Sequence, residues 1–224
     1  MSVKMIAHRG LSGIEMENTS AAFKAACERS YYGIETDVHV TKDGKYIIFH
    51  DDGTGRLCEQ NLIIEKTDFE ILRSLKFKDG ISEMPTLSEY LQVVSRYKKV
   101  AVIELKKPMR ENNIEEIIEI CKREYTLDKI IFISFDIENL VAVRKLLPKQ
   151  KIQLLADKFN GELIKSLKEY EFDLDIRYDL LTKEKIKELR ENDIIINCWT
   201  CDDRQKAEEL IGFGVDFITT NILE

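Results

Sequence analysis

Short apolar runs alternate with charged, amphipathic segments along the sequence, and the last five runs are evenly spaced. They begin near residues 130, 152, 173, 194 and 216, so each interval accommodates one strand and one helix. Alternating strands and helices produce a parallel sheet, which is either open or closed into a barrel. The nine runs expected to form strands are residues 3–7, 34–40, 46–49, 100–105, 130–135, 152–155, 174–176, 194–198 and 216–219.

Two of these runs are joined by a turn that makes them antiparallel. Asp43-Gly44 lies between residues 34–40 and 46–49, a pattern typical of a tight β-hairpin. Run 46–49 therefore cannot be the next strand of a parallel barrel, and eight parallel strands remain. We predict an α/β fold, a (β/α)8 TIM barrel with a hairpin and a helical or loop insertion at 41–85, between strands 2 and 3. A doubly wound open sheet is the alternative, and residues 1–224 are expected to form one domain.

Helix starts are predicted at Thr67, Thr86 and Asn113. Each residue is followed three positions later by a glutamate, which is the spacing of a capping box. Asp202 or Asp203 is expected to cap the last helix. These caps would begin helices in the insertion, after the insertion and after strand 3.

Composition and charge restrict the classes of function. The 224 residues include 41 acidic and 34 basic side chains, so the net charge is −7 and no nucleic-acid partner is expected. No apolar stretch approaches the roughly 18 residues of a membrane helix, so integral membrane association is not expected. The N-terminus has no secretory signal pattern, and five scattered cysteines fit a reducing compartment. We therefore expect a cytoplasmic protein.

Acidic residues concentrate where the first strands end, which in a TIM barrel is the side of the active site. Glu35 and Asp37 are two apart on one strand, so both side chains point to one face. Glu104, on the neighbouring strand, adds a third oxygen ligand. Oxygen ligands favour Mg²⁺, Ca²⁺ or Mn²⁺ over softer metals. The alternative is a set of ion pairs with Arg9 and Lys106 and no metal.

Histidine is scarce, and its three copies all lie in the first 50 residues. His8 follows strand 1 at the same rim. A two-residue turn at Asp43-Gly44 would place His50 opposite Asp37, whereas a longer turn would shift the register but still return His50 to this rim. Both histidines are therefore candidates for general acid and base. His39, further along the hairpin, is expected to have a structural or supporting role.

The only tryptophan, Trp199, also lies at this rim, where it either stacks on the substrate or packs into the core. It belongs to the run Cys198-Trp199-Thr200-Cys201. Two cysteines at this spacing before a helix raise the alternative of a redox-active dithiol or a non-catalytic protein. The motif lies at the end of residues 194–198, the seventh parallel strand, and no thioredoxin-like βαβ unit opens before it. The redox alternative is therefore the weaker one.

Ordered motifs over the first half of the chain resemble the glycerophosphodiester phosphodiesterase family. They are Ile-Ala-His-Arg-Gly (6–10), Glu-Asn-Thr (17–19), Glu-Thr-Asp-Val (35–38), Thr-Lys-Asp-Gly (41–44), His-Asp (50–51), Pro-Thr-Leu (85–87) and Ile-Glu-Leu-Lys (103–106). The resemblance implies a (β/α)8 hydrolase that uses one divalent cation, Mg²⁺ or Ca²⁺ with Mn²⁺ as a further option. It also implies release of sn-glycerol 3-phosphate and an alcohol from a small glycerophosphodiester.

The resemblance also implies roles for seven residues. Carried over by position, they are metal ligands Glu35, Asp37 and Glu104, acid and base His8 and His50, and Arg9 and Lys106, which would neutralise the phosphate of the substrate. Trp199 is the eighth candidate, for substrate binding, because of its position at the rim. The nucleophile is either water or the substrate's own 2-hydroxyl. One departure from the family pattern is Asn221, where an aspartate is customary.

An alternative substrate for the same fold is a lipid phosphodiester, as for a lysophospholipase D-like or phospholipase C-like enzyme. That substrate requires an apolar entrance. The insertion at 53–84 is the candidate, because it carries the apolar residues Leu57, Leu62, Ile63 and Ile64.

Overall fold

The nine apolar runs form nine strands in the computed structural model, which describes residues 3–224. Branched Ile and Val side chains suit a sheet that is buried on both faces. The strands are β1 (Lys4–Ala7), β2 (Gly33–Val40), β3 (Tyr46–Ile48), β4 (Val100–Leu105), β5 (Ile130–Ser134), β6 (Lys151–Ala156), β7 (Asp173–Arg177), β8 (Ile196–Trp199) and β9 (Phe217–Thr220).

Strand pairing closes the sheet into a barrel. β1 pairs in parallel with β2 on one side and with β9 on the other, and the remaining parallel pairs run from β2 through β4 to β9. β3 alone is antiparallel and extends the end of β2. The predicted (β/α)8 barrel is therefore confirmed, and the open sheet is excluded.

Helices cover the outside of the barrel and bury one face each. α3, for example, turns Leu87, Tyr90, Leu91 and Val94 inward. In residues 3–224 no helix is long and apolar enough to cross a membrane. The helices are α1 (Ser20–Cys27), α2 (Phe69–Arg73), α3 (Leu87–Arg96), α4 (Glu111–Glu124), α5 (Ile137–Leu146), α6 (Gly161–Tyr170), α7 (Lys183–Glu191) and α8 (Arg204–Phe213).

One of the three predicted capping boxes is confirmed and two predicted helix starts are wrong. Thr86 and Glu89 form the reciprocal capping box of α3. Thr67 does not cap α2, because its hydroxyl donates instead to the carbonyl of Ile63, at 2.8 Å. α4 begins before Asn113, at Glu111. The last helix follows the prediction, since the carboxylate of Asp203 accepts from the amide of Lys206 at 2.9 Å.

The β2–β3 hairpin has a longer turn than the two residues predicted from Asp43-Gly44. Val40 pairs with Tyr46, and the amide of Thr41 donates to the carbonyl of Lys45 at 2.8 Å, so three residues form the loop. Gly44 closes this loop at φ 75°, a left-handed conformation that glycine adopts without strain. The register is shifted by one residue, so His50 is not opposite Asp37 within the ladder. It lies beyond the end of β3, where the chain turns toward the barrel mouth.

The insertion builds a small core of its own beside β3. Its buried apolar side chains are Ile47, Phe49, Leu57, Cys58, Ile64, Leu72, Leu75, Phe77 and Met84. Leu62 packs against this cluster, and among the four residues proposed for an apolar entrance Ile63 is the exposed one, at 41%. The insertion therefore uses most of its apolar surface for its own folding.

Candidate active site

The His8-Arg9-Gly10 segment bends sharply where β1 ends. Arg9 and Gly10 both have left-handed backbone conformations, with φ 55° and φ 78°. The bend allows the amide of Arg9 to donate to Oε2 of Glu35 at 2.9 Å. A Cβ atom on Gly10 would lie 2.6 Å from the carbonyl carbon of Ala22 in α1, so this position requires glycine. Local backbone geometry thus ties the end of β1 to the first carboxylate of the site.

Three buried carboxylates meet at the carboxyl ends of β2 and β4. Asp37 and Glu104 are paired in register, and Glu35, Asp37 and Glu104 each have an oxygen within 4.8 Å of the others. Burial raises the pKa of Glu104 to about 7, and the charge of Asp37 adds to this effect. Burial also raises the pKa of Glu35 well above its usual value, reinforced by the other two carboxylates. Such mutual repulsion is relieved by a bound cation.

Two basic side chains flank the carboxylates and form the ion pairs expected from the sequence. Nζ of Lys106 lies 2.8 Å from Glu104 and 3.5 Å from Asp37, and Nε of Arg9 lies 3.6 Å from Asp37. Burial alone would raise the pKa of Asp37, but Lys106 and Arg9 hold it well below its usual range. Even so, Oδ1 of Asp37 is buried and has no hydrogen-bond partner among residues 3–224. The ion pairs and the chemistry of a cation site are therefore both present.

Asn18 fixes the orientation of Asp37, a role that the sequence did not reveal. Its side-chain amide donates to Oδ2 of Asp37 at 2.7 Å, and its oxygen accepts from the hydroxyl of Thr36 at 2.9 Å. Asn18 is part of the Glu-Asn-Thr motif (17–19), and this membership was the one indication in the sequence that Asn18 belongs to the site. The second oxygen of Asp37, Oδ1, lies 3.5 Å from Nζ of Lys106.

His50 is held by a chain of charged side chains. Its Nδ1 lies 2.6 Å from Oδ1 of Asp51, and the other oxygen of Asp51 accepts from Arg56 at 2.6 Å. Arg56 also binds Glu17, which in turn binds Arg9 at 2.8 Å. His39 approaches the backbone carbonyl of His50 with its Nε2, at 3.2 Å. The supporting role expected for His39 is consistent with this contact.

His8 has a neutral partner instead. Its Nδ1 lies 2.8 Å from Oδ1 of Asn221, which also accepts from the hydroxyl of Ser12 at 2.8 Å. The amide nitrogen of Asn221 donates to Asp202 at 2.6 Å, which fixes the orientation of the amide. Nδ1 of His8 is therefore the protonated nitrogen, and Nε2 is the free acceptor. Burial, assisted by the charge of Arg9, lowers the pKa of His8 to about 4.

A cavity of about 230 Å³ brings most of these groups together. Its polar wall includes His8, Arg9, Glu35, His50 and Glu104, and Trp199 lies on the apolar wall. The rings of Trp199 and Phe135 meet edge to face, with centroids 5.6 Å apart. Asp37 and Lys106 contact this polar wall through the ion pairs described above. All eight residues singled out in the sequence thus belong to one cluster.

The sequence matches the glycerophosphoryl diester phosphodiesterase family model over residues 8–224. The chain belongs to this family. A glycerophosphodiester phosphodiesterase of Caldanaerobacter subterraneus is 30% identical, with 99% of this chain and 95% of that protein covered. The glycerophosphodiester phosphodiesterase activity predicted from the sequence motifs is confirmed by this membership.

Solved structures of the glycerophosphoryl diester phosphodiesterase family have the same fold as this chain. A phosphodiesterase of Oleispira antarctica, in complex with the product sn-glycerol-3-phosphate, has a TM-score of 0.92 at 26% identity, covering 98% of this chain and 93% of that one. A glycerophosphodiester phosphodiesterase of Parabacteroides distasonis has a TM-score of 0.87 at 29% identity, covering 98% and 93%. Small-molecule phosphodiester chemistry is therefore the activity that the site must explain.

The cysteine pair does not have the surroundings of a redox centre in this family member. Cys198 and Cys201 are both buried and unpaired. Burial raises the pKa of Cys198 well above its usual value and also raises that of Cys201. Because a reactive cysteine needs a lowered pKa and access to solvent, the geometry does not favour the thiol alternative.

Proposed function

We propose that the chain hydrolyses small glycerophosphodiesters to sn-glycerol 3-phosphate and an alcohol, with one divalent cation held by Glu35, Asp37 and Glu104. The observation that carries this proposal is the convergence of these three buried carboxylates, with oxygens within 4.8 Å, beside His8 and His50. The glycerol 3-phosphate bound to the Oleispira antarctica phosphodiesterase supports the same product.

The cation site accommodates a hard metal ion, because its three ligands are carboxylate oxygens. Mg²⁺, Ca²⁺ and Mn²⁺ all prefer such ligands. A bound divalent cation would stabilise the negative charge that accumulates on the phosphoryl oxygens. Oδ1 of Asp37 supports this assignment, because this buried oxygen accepts no hydrogen bond within residues 3–224 and has only the ammonium group of Lys106 nearby, at 3.5 Å.

Arg9 and Lys106 are the proposed phosphate-binding residues. Both are largely buried, and both are held in place by acidic neighbours, Arg9 by Glu17 and Lys106 by Glu104. Fixed cations stabilise a developing charge without reorganising during the reaction. The carboxylates therefore orient the same basic groups that meet the anionic substrate.

The hydrogen-bond partners of the two histidines favour opposite roles. Nε2 of His8 is free to accept a proton, because Nδ1 already donates to Asn221. His8 is thus proposed as the base that deprotonates the nucleophile, either water or the substrate's 2-hydroxyl. His50 is proposed as the acid that protonates the leaving alkoxide, since the carboxylate of Asp51, 2.6 Å from its Nδ1, fixes the orientation of the ring beside the cavity.

Trp199 is proposed to contact the carbon skeleton of the substrate. Its indole Nε1 donates to the backbone carbonyl of Asp175 at 3.2 Å, which fixes the ring plane beside the cavity. A rigid aromatic surface next to polar groups suits a short polyol chain. A lipid substrate is less well accommodated, because the apolar residues of the insertion are mostly buried in their own core.

The assay that tests this proposal measures glycerol 3-phosphate released from glycerophosphocholine, with Mg²⁺ or Ca²⁺ and with EDTA. We expect release with a cation and at least a 100-fold loss with EDTA. Asp37→Asn should lose activity to a similar extent, whereas Asp68→Asn, at an exposed ion pair with Lys42, serves as the matched control. Failure to release product from any headgroup with any of these cations would rule out the proposal.

A further inference from the structure

One polar group in the active-site cavity is not used by the proposed mechanism. Asp175 lies on β7, is 1% exposed, and lines the cavity together with the catalytic groups. Its Oδ1 is buried and has no hydrogen-bond partner within the described part of the chain. Buried carboxyl oxygens are normally hydrogen-bonded, so an unpartnered one on a side chain that lines a cavity indicates that the carboxyl group lacks a polar partner.

The neighbouring polar side chains satisfy one another and exclude Asp175. Asn197, its register partner on β8, donates to Gln153 at 3.2 Å and accepts from Thr219 at 3.2 Å. Trp199 donates to the backbone carbonyl of Asp175 and not to its carboxyl group. The side chains of Gln153, Asn197 and Thr219 are thus hydrogen-bonded to one another, and among residues 3–224 none of them bonds to the carboxyl group of Asp175.

Asp175 is an ionisable side chain on the mostly apolar wall of the active-site cavity, opposite in character to the polar wall that carries the histidines. Ile133, Phe135, Leu155 and Trp199 line the cavity with it, whereas the catalytic histidines and carboxylates belong to the first strands. A phosphodiester whose phosphorus is held by the polar wall extends one substituent toward this apolar wall. The carbon atoms of that substituent would meet the aromatic rings, and a polar atom would meet Asp175.

We propose that Asp175 is a specificity-determining residue that binds a hydroxyl group of the glycerol moiety of the substrate. A hydroxyl both donates and accepts, so it pairs with a carboxyl group in either protonation state. Burial raises the pKa of Asp175 well above its usual value, helped by the charge of Glu104, which favours the neutral acid. The neutral form attracts an ammonium group weakly but forms reciprocal hydrogen bonds with an alcohol.

This inference rests on the proposed function, and a binding experiment tests it separately. Titration calorimetry would compare sn-glycerol 3-phosphate with n-propyl phosphate, which lacks both hydroxyls, in the wild type, Asp175→Leu and Asp175→Asn. We expect the wild type to bind glycerol 3-phosphate at least about 10-fold more tightly. Asp175→Leu should remove this preference without weakening n-propyl phosphate binding, and Asp175→Asn should retain part of it.

A purely structural role for Asp175 predicts a different result. Both ligands would then weaken together in Asp175→Leu, or the preference for glycerol 3-phosphate would persist, and either outcome overturns the proposal. Ethanolamine phosphate is the third ligand. If the leucine variant weakens its binding more than that of glycerol 3-phosphate, Asp175 recognises an amine and the hydroxyl assignment is wrong.

Kinetics separates this inference from the proposed function. For the wild type, kcat/KM for glycerophosphoethanolamine should exceed that of its propyl analogue, and the ratio should approach one in Asp175→Leu. Equal hydrolysis of the two diesters by the wild type would overturn the role of Asp175 while leaving the phosphodiesterase assignment intact. If neither diester is hydrolysed, the proposed function fails, and the calorimetric comparison still decides the role of Asp175.

Discussion

Nδ1 of His8 donates a hydrogen bond to the side-chain oxygen of Asn221, 2.8 Å away, and so joins the first strand of the barrel to the segment after the last one. The partner is a neutral amide. The imidazole therefore has the tautomer of an aspartate-paired histidine without the negative charge that would hold its proton. The pKa of about 4 for His8, set mainly by burial, follows from these surroundings.

Replacing this amide by a carboxylate should shift the pH dependence of the enzyme. A negative charge at position 221 favours the imidazolium form and raises the pKa of His8, because an opposite charge at hydrogen-bond distance stabilises the charged form. His8 is active when neutral, so the acid limb of kcat/KM against pH should move upward in Asn221→Asp by at least about one pH unit. The measurement is a profile from pH 4 to 9.

Ser12→Ala is the control for that profile. It removes a second contact to the Asn221 oxygen without adding charge, so the acid limb should stay near its wild-type position. Asp202→Asn combined with Asn221→Asp removes the carboxylate that faces position 221, and an unchanged limb in this double variant would show that His8 is not the group that titrates there.

The assignment of base and acid predicts an asymmetric response to the leaving group. His8→Ala and His50→Ala should each lower kcat for glycerophosphocholine by at least about 100-fold. With a p-nitrophenyl phosphodiester the leaving group departs without protonation, so His50→Ala should recover most of its loss. His8→Ala should not recover. The reverse pattern would exchange the two roles, and near-normal turnover in either variant would remove that histidine from the mechanism.

Cation binding should stabilise the protein and release protons. At a cation concentration of 100 times Kd the stabilisation is about 2.7 kcal/mol, or about 5–10 °C in melting temperature for a chain of this size. Because the pKa of Glu104 is raised to about 7 and that of Glu35 is also raised, the cation displaces protons near neutral pH. Calorimetry in buffers of different ionisation enthalpy measures this release.

The same pKa shifts set the sign of the pH effect on the cation-free protein. The folded state binds protons at Glu35 and Glu104 more tightly than the unfolded state does, so this contribution to stability is lost as the pH rises through about 7. Glu35→Gln retains an acceptor for the Arg9 amide but lacks the charge. In EDTA, the melting temperature of Glu35→Gln minus that of the wild type should therefore increase from pH 6 to pH 8. If this difference in melting temperature stayed constant with pH, the three carboxylates would not form a charged, mutually repulsive cluster.

The bend after β1 gives a stability prediction with an internal control. Gly10 and Gly44 have similar positive φ angles, 78° and 75°, but only Gly10 would place a Cβ against backbone, at 2.6 Å from Ala22. Gly44→Ala should cost about 1–2 kcal/mol, the conformational term alone. Gly10→Ala should cost about 1–3 kcal/mol more, because overpacking adds to it. Urea denaturation measures both, and equal losses would contradict the close approach of α1.

Pattern and position are enough to predict the strands and the position of the acidic cluster. All nine apolar runs became strands, since branched apolar side chains at this spacing have few other stable arrangements. The rim residues followed from strand ends, because parallel strands present their carboxyl ends on the same side. Glu35, Asp37 and Glu104 meet for that reason.

Turns and caps were predicted less well, because competing local hydrogen bonds decide them. The hairpin turn is one residue longer than predicted, because Gly44 adopts a left-handed conformation and the amide of Thr41 donates to the carbonyl of Lys45. Thr67 donates to Ile63 in place of capping α2. These alternatives differ by about one hydrogen bond, a free energy that sequence spacing does not resolve.

The sequence by itself determined the closed alternation of strands and helices, the acidic cluster and the pair of histidines, because these depend on periodicity and on where strands end. Tertiary structure alone decided which nitrogen of His8 bonds to Asn221, which oxygen of Asp37 accepts no hydrogen bond within residues 3–224 and that Asp175 lines the cavity. Those properties depend on partners distant in the chain, such as Asn221 for His8, and on burial that arises when the barrel closes. Hydrogen bonding and desolvation, unlike strand periodicity, are set by neighbours in space.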